Sequence, residues 1–433
     1  MNKRYLNLLI MTSALVPVVF IVLLIRKYAV NVPFGDDWAM PKLFYSIGHG
    51  GLHFADLWRQ HNEHRIFFPN VTMLIVAYLT HWNIKVQIWF NLLLSFFTIS
   101  ILVFFIYRTI RDNFLRSCLI VITVAWFFSP VQFENWLWGW QVSWFMCILA
   151  TVSSIFLLNR VRSLERTPYY FTLATIAAIV ASFSLGGGLA VWVAGLTILL
   201  IKKTELKTTL LWTLIGLVST VLYYIGYKKP NQSPSSTYFV HHKIETVRYF
   251  LTLFGRPVSD NQQAALIIGA LILASTISIA LLVWRKRRKL ISTTSPLIAV
   301  AVFCLITMTL TTISRVGFGV DQALASRYTA ISSLLIIVLL IIAGMLADNS
   351  SKTEKNVSMA VVPLILINVP LLFFSYSNGI SGLKGRSIYM SEVKQCTHQE
   401  GLSDVCANET FPGFGNTVKS ELPYIKNKSW GGY

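Results

Sequence analysis

Apolar residues in this chain come in long unbroken runs. Twelve stretches carry no Lys, Arg, Asp or Glu, near residues 6–25, 66–80, 86–107, 117–133, 141–158, 169–184, 188–201, 208–226, 264–284, 295–313, 328–346 and 357–376. A helix crosses the roughly 30 Å hydrocarbon layer with about 20 apolar residues, and most of these runs approach that length. They predict an all-α, polytopic transmembrane bundle. The first run follows Lys3 and Arg4 but lacks a small-x-small cleavage site. It therefore reads as a retained signal anchor rather than a cleaved leader.

The polar segments between the runs set the orientation. Residues 1–5 and the linkers RTIRDNFLR, NRVRSLERTP, KKTELK, RKRRKLISTT and ADNSSKTEKN hold 18 of the 37 Lys and Arg in 50 residues. The positive-inside rule places this dense set in the cytoplasm. If all twelve runs crossed, parity would put RTIRDNFLR and RKRRK outside. Removing one run between residues 26 and 107 repairs every later loop. The weakest is IFFPNVTMLIVAYLT (66–80), which is short and carries Pro69, Asn70 and Thr72. It reads as a juxtamembrane helix on the outer side. About eleven spans then remain, with the N-terminus cytoplasmic. The main division is a membrane domain, 1–376, whose first outer loop is 26–85, followed by a small outer tail, 377–433.

Composition changes the picture in two ways. Hydrophobic residues make up 55% of the chain and charged ones 13%, with mean hydropathy +0.60, which excludes an ordinary soluble domain. The net charge of +19 sits in loops, where it orients the spans and meets anionic lipid, so membrane lipids are expected partners and nucleic acid is not. Acids are distributed the other way, with 13 of 18 on the outer side. Cys118, Cys147 and Cys304 fall inside runs as small core hydrophobes. Cys396 and Cys406 lie in the outer tail, where a disulfide fits an oxidising compartment. No Cys or His spacing marks a metal site.

Three outer stretches carry candidate chemistry. FGDDW places Asp36 and Asp37 just past the first span. QHNEHRIFFP holds His61, Glu63, His64 and Arg65. SRVGFGVDQALASRY holds Arg315, Asp321, Arg327 and Tyr328. Ionisable groups at a membrane edge are costly unless paired or solvated, which makes them functional candidates. A carboxylate can take a proton from a sugar hydroxyl, and arginine can bind phosphate through two parallel hydrogen bonds. Each also has a plainer reading. Asp36 and Asp37 can cap a short helix at Trp38, Glu63 and Arg65 can pair with each other, and Arg327 can be an interfacial arginine. Trp136, Trp138 and Trp140 fit an interfacial belt or, for Trp138, a plate that stacks on sugar.

With these stretches in place, the chain resembles the C-type superfold of integral membrane glycosyltransferases, enzymes that use polyprenyl-phosphate sugars. The likeness covers about residues 5–200 in element order. FGDDW stands at the acid position of the first outer loop, EHRIFFPNVTMLIVAYL resembles that family's acid-then-proline helix, and 86–107 running into YRTIR resembles its second span. In size and overall design, with a loose likeness in the FGDDW and SRY stretches, the chain is most similar to the serotype-converting glucosyltransferases that modify O-antigen.

The resemblance implies transfer of a hexose, in its narrowest form glucose, from undecaprenyl-phosphate to a lipid-linked glycan at the periplasmic face of a bacterial inner membrane. Asp37 or Asp36 would be the base, with Asp37 slightly preferred and Glu63 a second acid. Arg327, Arg315 and Arg65 would hold the lipid phosphate, with Tyr328, His64 and Trp138 around the sugar. Some relatives need a divalent metal such as Mg or Mn and others do not. The rival functions are a lipid-linked-sugar flippase and an O-antigen polymerase or ligase. The first would put charges inside the spans, and the second would centre on a large late loop.

Overall fold

The structure is a computed structural model that describes residues 9–286, 288–350, 354–399 and 401–433. Lys3, Arg4, Arg287 and Lys352, used above to orient the chain, lie outside the described residues.

Helix α1 (Leu15–Tyr28) leads through an extended segment into a 3-10 turn at Gly35–Ala39. The first outer loop then folds as α2 (Met40–His49), α3 (Phe54–Trp58) and an antiparallel ribbon of β1 (Gln60–His61) and β2 (His64–Arg65). It ends in α4 (Phe67–Thr80). The membrane helices follow as α5 (Ile84–Thr109), α6 (Asn113–Phe127), the short α7 (Phe133–Leu137), α8 (Val142–Leu158), α9 (Pro168–Ser182), α10 (Ala190–Ile201) and α11 (Leu206–Tyr224). After an outer segment come α12 (Tyr238–His241), α13 (Lys243–Gly255), α14 (Gln262–Lys286), α15 (Arg288–Arg315), α16 (Thr329–Ser350), α17 (Glu354–His398), α18 (Asp404–Thr410) and α19 (Gly415–Asn427).

Polar residues punctuate the apolar runs. Asn83 accepts the Lys85 N–H at the start of α5, and Asp112 accepts the Leu115 N–H at the start of α6. Each thereby satisfies an orphan donor of the first turn.

Eight helical segments among the described residues are long and apolar enough to cross a membrane. The expectation of about eleven spans is not reproduced by that measure. Two of the expected spans are the shorter apolar segments Pro168–Ser182 and Gly186–Ile201. Helix α4 has 14 residues, about 21 Å of rise, too short to cross. Both its ends are held by hydrogen bonds from or to loop backbone. The Phe68 N–H donates to Phe183 O (3.3 Å), and past its C-terminus the Gly431 N–H donates to His81 O (3.1 Å).

Four of the basic linkers meet in two pairs. Asp348 accepts the backbone N–H groups of Arg111 and Asp112, each at 3.0 Å, and Lys202 Nζ donates to Asn159 O. The FGDDW turn, the ribbon and the late loop gather around one cavity.

The carboxy-terminal region is continuous with the bundle. Helix α17 runs 45 residues, so the division drawn at 376/377 falls inside it. It packs on residues 130–132 and α7, where Gly379 and Gly382 leave no room for a Cβ against Pro130 and Phe133. Cys396 and Cys406 are disulfide-bonded, tying α17 to α18. Trp430 then inserts against Phe44 and Tyr78, with ring centroids 5.0 Å away in each case. The end of the chain thus braces the first outer loop.

Close backbone approach replaces hydrophobic driving force where helices meet inside a bilayer. A Cβ at Gly269 would lie 1.8 Å from Leu251 O, and one at Gly255 would lie 1.8 Å from Ala265 O, so α13 and α14 cross on these glycines. Gly269→Ala should lower the thermal midpoint in detergent by several degrees, as for a core overpacking of about 1–3 kcal/mol. Gly385→Ala, with nothing within 4 Å of the added carbon, should leave it unchanged or raise it. Differential scanning fluorimetry of the two variants makes the comparison.

Candidate functional site

Gly35 starts the site. Its φ is +56°, and a Cβ there would come within 3.0 Å of the Trp138 ring, so glycine lets the chain turn sharply against the indole. The turn sends the two adjacent acids in different directions. Asp37 points inward and is fully buried. Its Oδ2 accepts the Phe34 N–H at 3.0 Å and Trp138 Nε1–H at 3.1 Å, while Trp138 Nε1 also donates to Phe34 O at 3.0 Å. Asp37 Oδ1 is buried without a hydrogen-bond partner among the described residues. Asp36 instead faces a cavity of about 600 Å³.

The ribbon supplies the opposite wall. Asn62 takes a left-handed φ of +46°, which Asn tolerates better than most residues, and this presents Glu63 at the tip. His61 Nε2 lies 3.1 Å from Asp36 Oδ1, and Asn62 Nδ2 donates to the same oxygen at 3.4 Å. Glu63 receives Arg315 Nη2 at 2.5 Å on Oε2 and Ser233 Oγ at 2.6 Å on Oε1. His64 Nδ1 accepts the Gly186 N–H at 3.3 Å.

The late loop closes the cavity. Glu134 Oε1 takes Arg327 Nη1 at 2.9 Å, and Oε2 takes the Arg327 backbone N–H at 3.0 Å and the Ser326 hydroxyl at 3.1 Å. Tyr328 accepts Gln322 Nε2 at 2.9 Å and meets Trp144 edge-on at 5.9 Å.

Of the residues singled out from sequence, Asp36, His61, Glu63, His64, Trp138, Trp140, Arg315, Arg327 and Tyr328 line one cavity. Asp37, Arg65, Trp136 and Asp321 do not. Asp37, slightly preferred from sequence as a base, serves the turn in a capping role and does not reach the cavity. Arg65 is buried and spends its guanidinium on backbone carbonyls of Tyr223 (2.6 Å), Trp58 (2.9 Å) and Ile225. It fastens the ribbon to the C-terminal end of α11 and is not placed to hold a phosphate, nor is it paired with Glu63.

His61, already among the candidates, turns out to be the partner of Asp36. Two contributors were missed. Glu134 was legible as the one acid of the aromatic stretch ENWLWGW. Ser233, in a featureless polar segment, gave no signal.

Electrostatics separate the acids further. Burial raises the Asp36 carboxyl, but the His61 hydrogen bond and charge, Arg327 and Asn62 outweigh it and hold the pKa below the usual value. Burial likewise raises Glu63, yet Arg315, Ser233 and His64 bring it below its ordinary value. Burial pushes His64 down to about 4, with Arg315 and His61 adding and Glu63 and Asp36 opposing, so it is neutral near pH 7. Burial pushes Asp37 up to about 7, with Asp36 adding and Phe34, Trp138 and Arg386 opposing.

Among the described residues no group of three or more His, Cys, Asp or Glu could hold a metal ion. Asp36 and Glu63 each stand against a separate nitrogen partner, so the donor set does not fit a divalent metal, and no step is assigned to one.

No protein-family profile and no curated protein matches the sequence. Among solved structures, the chain is similar to the Archaeoglobus fulgidus oligosaccharyltransferase in complex with Zn and sulfate, with TM-score 0.42 and 11% identity over 95% of this chain and 56% of that one. It is also similar to the oligosaccharyltransferase AglB of that organism in complex with an inhibitory peptide and a dolichol-phosphate. That comparison gives TM-score 0.41 and 11% identity over 97% and 60% of the two chains. The chain spans less than two thirds of the length of either. Likeness at this level decides nothing about its chemistry, which has to be read from the cavity.

The raised Asp37 carboxyl gives a signed pH effect. A carboxyl bound more tightly to its proton in the fold contributes stability at low pH, and loses it as pH rises from about 4 through about 7. Asp37→Asn keeps an acceptor for Phe34 and Trp138 without the charge. Its midpoint relative to the unsubstituted protein should therefore rise between pH 5 and pH 8, by an amount worth up to a few kcal/mol. A difference that stays flat across that range would show that Asp37 bears no buried charge.

Proposed function

We propose that the chain is a membrane glycosyltransferase that moves a hexose from a polyprenyl-phosphate carrier to a hydroxyl of a lipid-linked glycan. One observation carries the reading: a part-exposed carboxylate, Asp36, and two guanidiniums, Arg315 and Arg327, line the same aromatic-walled cavity. A base for a hydroxyl and binders for a departing phosphate are what such a displacement needs.

The acceptor hydroxyl oxygen attacks the anomeric carbon and forms the new C–O bond as its proton passes to Asp36. The bond between the anomeric carbon and the phosphate oxygen breaks, and its electron pair leaves with the phosphate. Arg315 and Arg327 stabilise the charge that accumulates there. Direct displacement inverts the anomeric centre. His61 and Asn62 fix Asp36, while Glu63 with Ser233 aims Arg315 and Glu134 aims Arg327. Trp138, Trp140 and Tyr328 offer ring faces and edges for the sugars.

The narrower form is glucose carried on undecaprenyl-phosphate, delivered to O-antigen at the periplasmic face of a bacterial inner membrane. It is supported by a likeness in size and overall design, and loosely in the FGDDW and SRY stretches, to serotype-converting glucosyltransferases. The outer placement is supported by the positive-inside rule: among the described residues, none from the basic linkers lines the cavity.

Surface glycan from cells with and without the gene, together with transfer from synthetic undecaprenyl-phosphate glucose in detergent, tests both levels. Asp36→Asn should cost about 100-fold or more in turnover, whereas Asp37→Asn should stay within several-fold. Arg315→Gln and Arg327→Gln should each cost about 10-fold or more. An unaltered glycan in the deletion strain would end the reading, and full activity in Asp36→Asn would remove the assigned base.

A further inference from the structure

A third arginine reaches this region from the far end of the chain. Arg386 lies on α17, and its guanidinium carbon sits 4.3 Å from the centroid of the Phe34 ring and 5.6 Å from that of Trp138. Its Nε and Nη2 are buried without a hydrogen-bond partner among the described residues. Desolvated arginine nitrogens left unpaired are costly, so something other than hydrogen bonding holds this side chain. Two aromatic faces supply part of it. The nearby Glu134 carboxylate attracts it as well, with Arg327 opposing. Trp138 is thereby gripped from behind at three points: its Nε1–H by Asp37 and Phe34 O, its ring edge by Gly35, and its ring by the guanidinium. Its remaining surface lines the cavity.

We propose that Arg386 is a positioning residue. It pins Trp138 as a fixed wall of the cavity and makes the carboxy-terminal helix a structural part of the site. That Trp138 presents this wall to a sugar rests on the function proposed above; that Arg386 sets its position does not. The basic side chain does not line the cavity, so it acts through the indole and not on a ligand.

Fluorine NMR of protein labelled with 5-fluorotryptophan and held in detergent tests this directly, with the Trp138 resonance assigned as the one lost in Trp138→Phe. Arg386→Met keeps much of the length and removes the charge. It should shift or broaden the Trp138 signal selectively, leaving most other tryptophan resonances in place, and Arg386→Lys should restore part of the original shift. Lys384→Met, on an exposed position of the same helix, should change nothing at Trp138. If transfer is observed in the unsubstituted protein, Arg386→Met should raise KM about tenfold with kcat within about threefold, the signature of lost ground-state and transition-state binding alike. An unmoved Trp138 resonance in folded Arg386→Met would overturn the proposal. If that variant loses all dispersed signals, Arg386→Gln decides, and a Trp138 signal identical to the unsubstituted protein's, with unchanged KM, overturns it. Absence of glycosyl transfer in the unsubstituted protein would sink the functional reading and leave the spectroscopic result standing.

Discussion

The site depends on pairing charges across elements that are far apart in sequence. An ionised group at a membrane edge loses much of its hydration, and the loss is recovered only by a partner held in place. Here each pair joins two different segments. Asp36 of the first turn meets His61 of the ribbon, Glu63 of the ribbon meets Arg315 at the end of α15, and Glu134 after α6 meets Arg327 ahead of α16. Opening any one pair would leave a desolvated charge and unlatch two segments together. The same contacts that stabilise the outer end of the bundle therefore shape its cavity.

Two neighbouring acids in FGDDW show how local geometry divides labour. They differ by one position in a 3-10 turn, where successive side chains point about 120° apart. That rotation puts one carboxylate in the cavity beside a histidine and the other under an indole, away from solvent. One is held charged by its partner, and the other is pushed toward its neutral form by burial. A carboxylate that stays ionised and a cap that tolerates burial need opposite environments, and the positive φ of Gly35 makes room for both.

The membrane class was legible because apolar run length has a direct physical meaning in a bilayer. The short fate of residues 66–80 was legible too, since Pro69 and Asn70 interrupt a run already too short to cross. The cavity was legible in part. Acids and arginines stand out against a greasy background, so Asp36, Glu63, Arg315 and Arg327 were found. Which of them pair, and with what, was not, because pairing is a tertiary fact. Arg65 looked like a phosphate binder by composition, yet the ribbon aims it at three carbonyls. Arg386 sits in a stretch, GLKGRSIYM, that reads as an ordinary basic segment, and only the docking of α17 on α7 brings it behind Trp138.

The choice of arginine over lysine at 315 and 327 follows from the crowding of the cavity. An ammonium is a compact charge on a flexible stem, and a carboxylate that holds it tightly competes with any other anion. A guanidinium is planar and carries five donors in fixed directions. Glu63 engages Arg315 through Nη2 and Glu134 engages Arg327 through Nη1, so each carboxylate addresses one edge of its partner. On the proposed reading, the same arginine can stay anchored by its acid while another edge meets a phosphate. The anchoring acid then does not have to be displaced at each turnover, and the pairs that hold the outer segments together persist through the reaction. A lysine would have to gather both anions around one nitrogen, without the second, separately directed edge that a guanidinium offers.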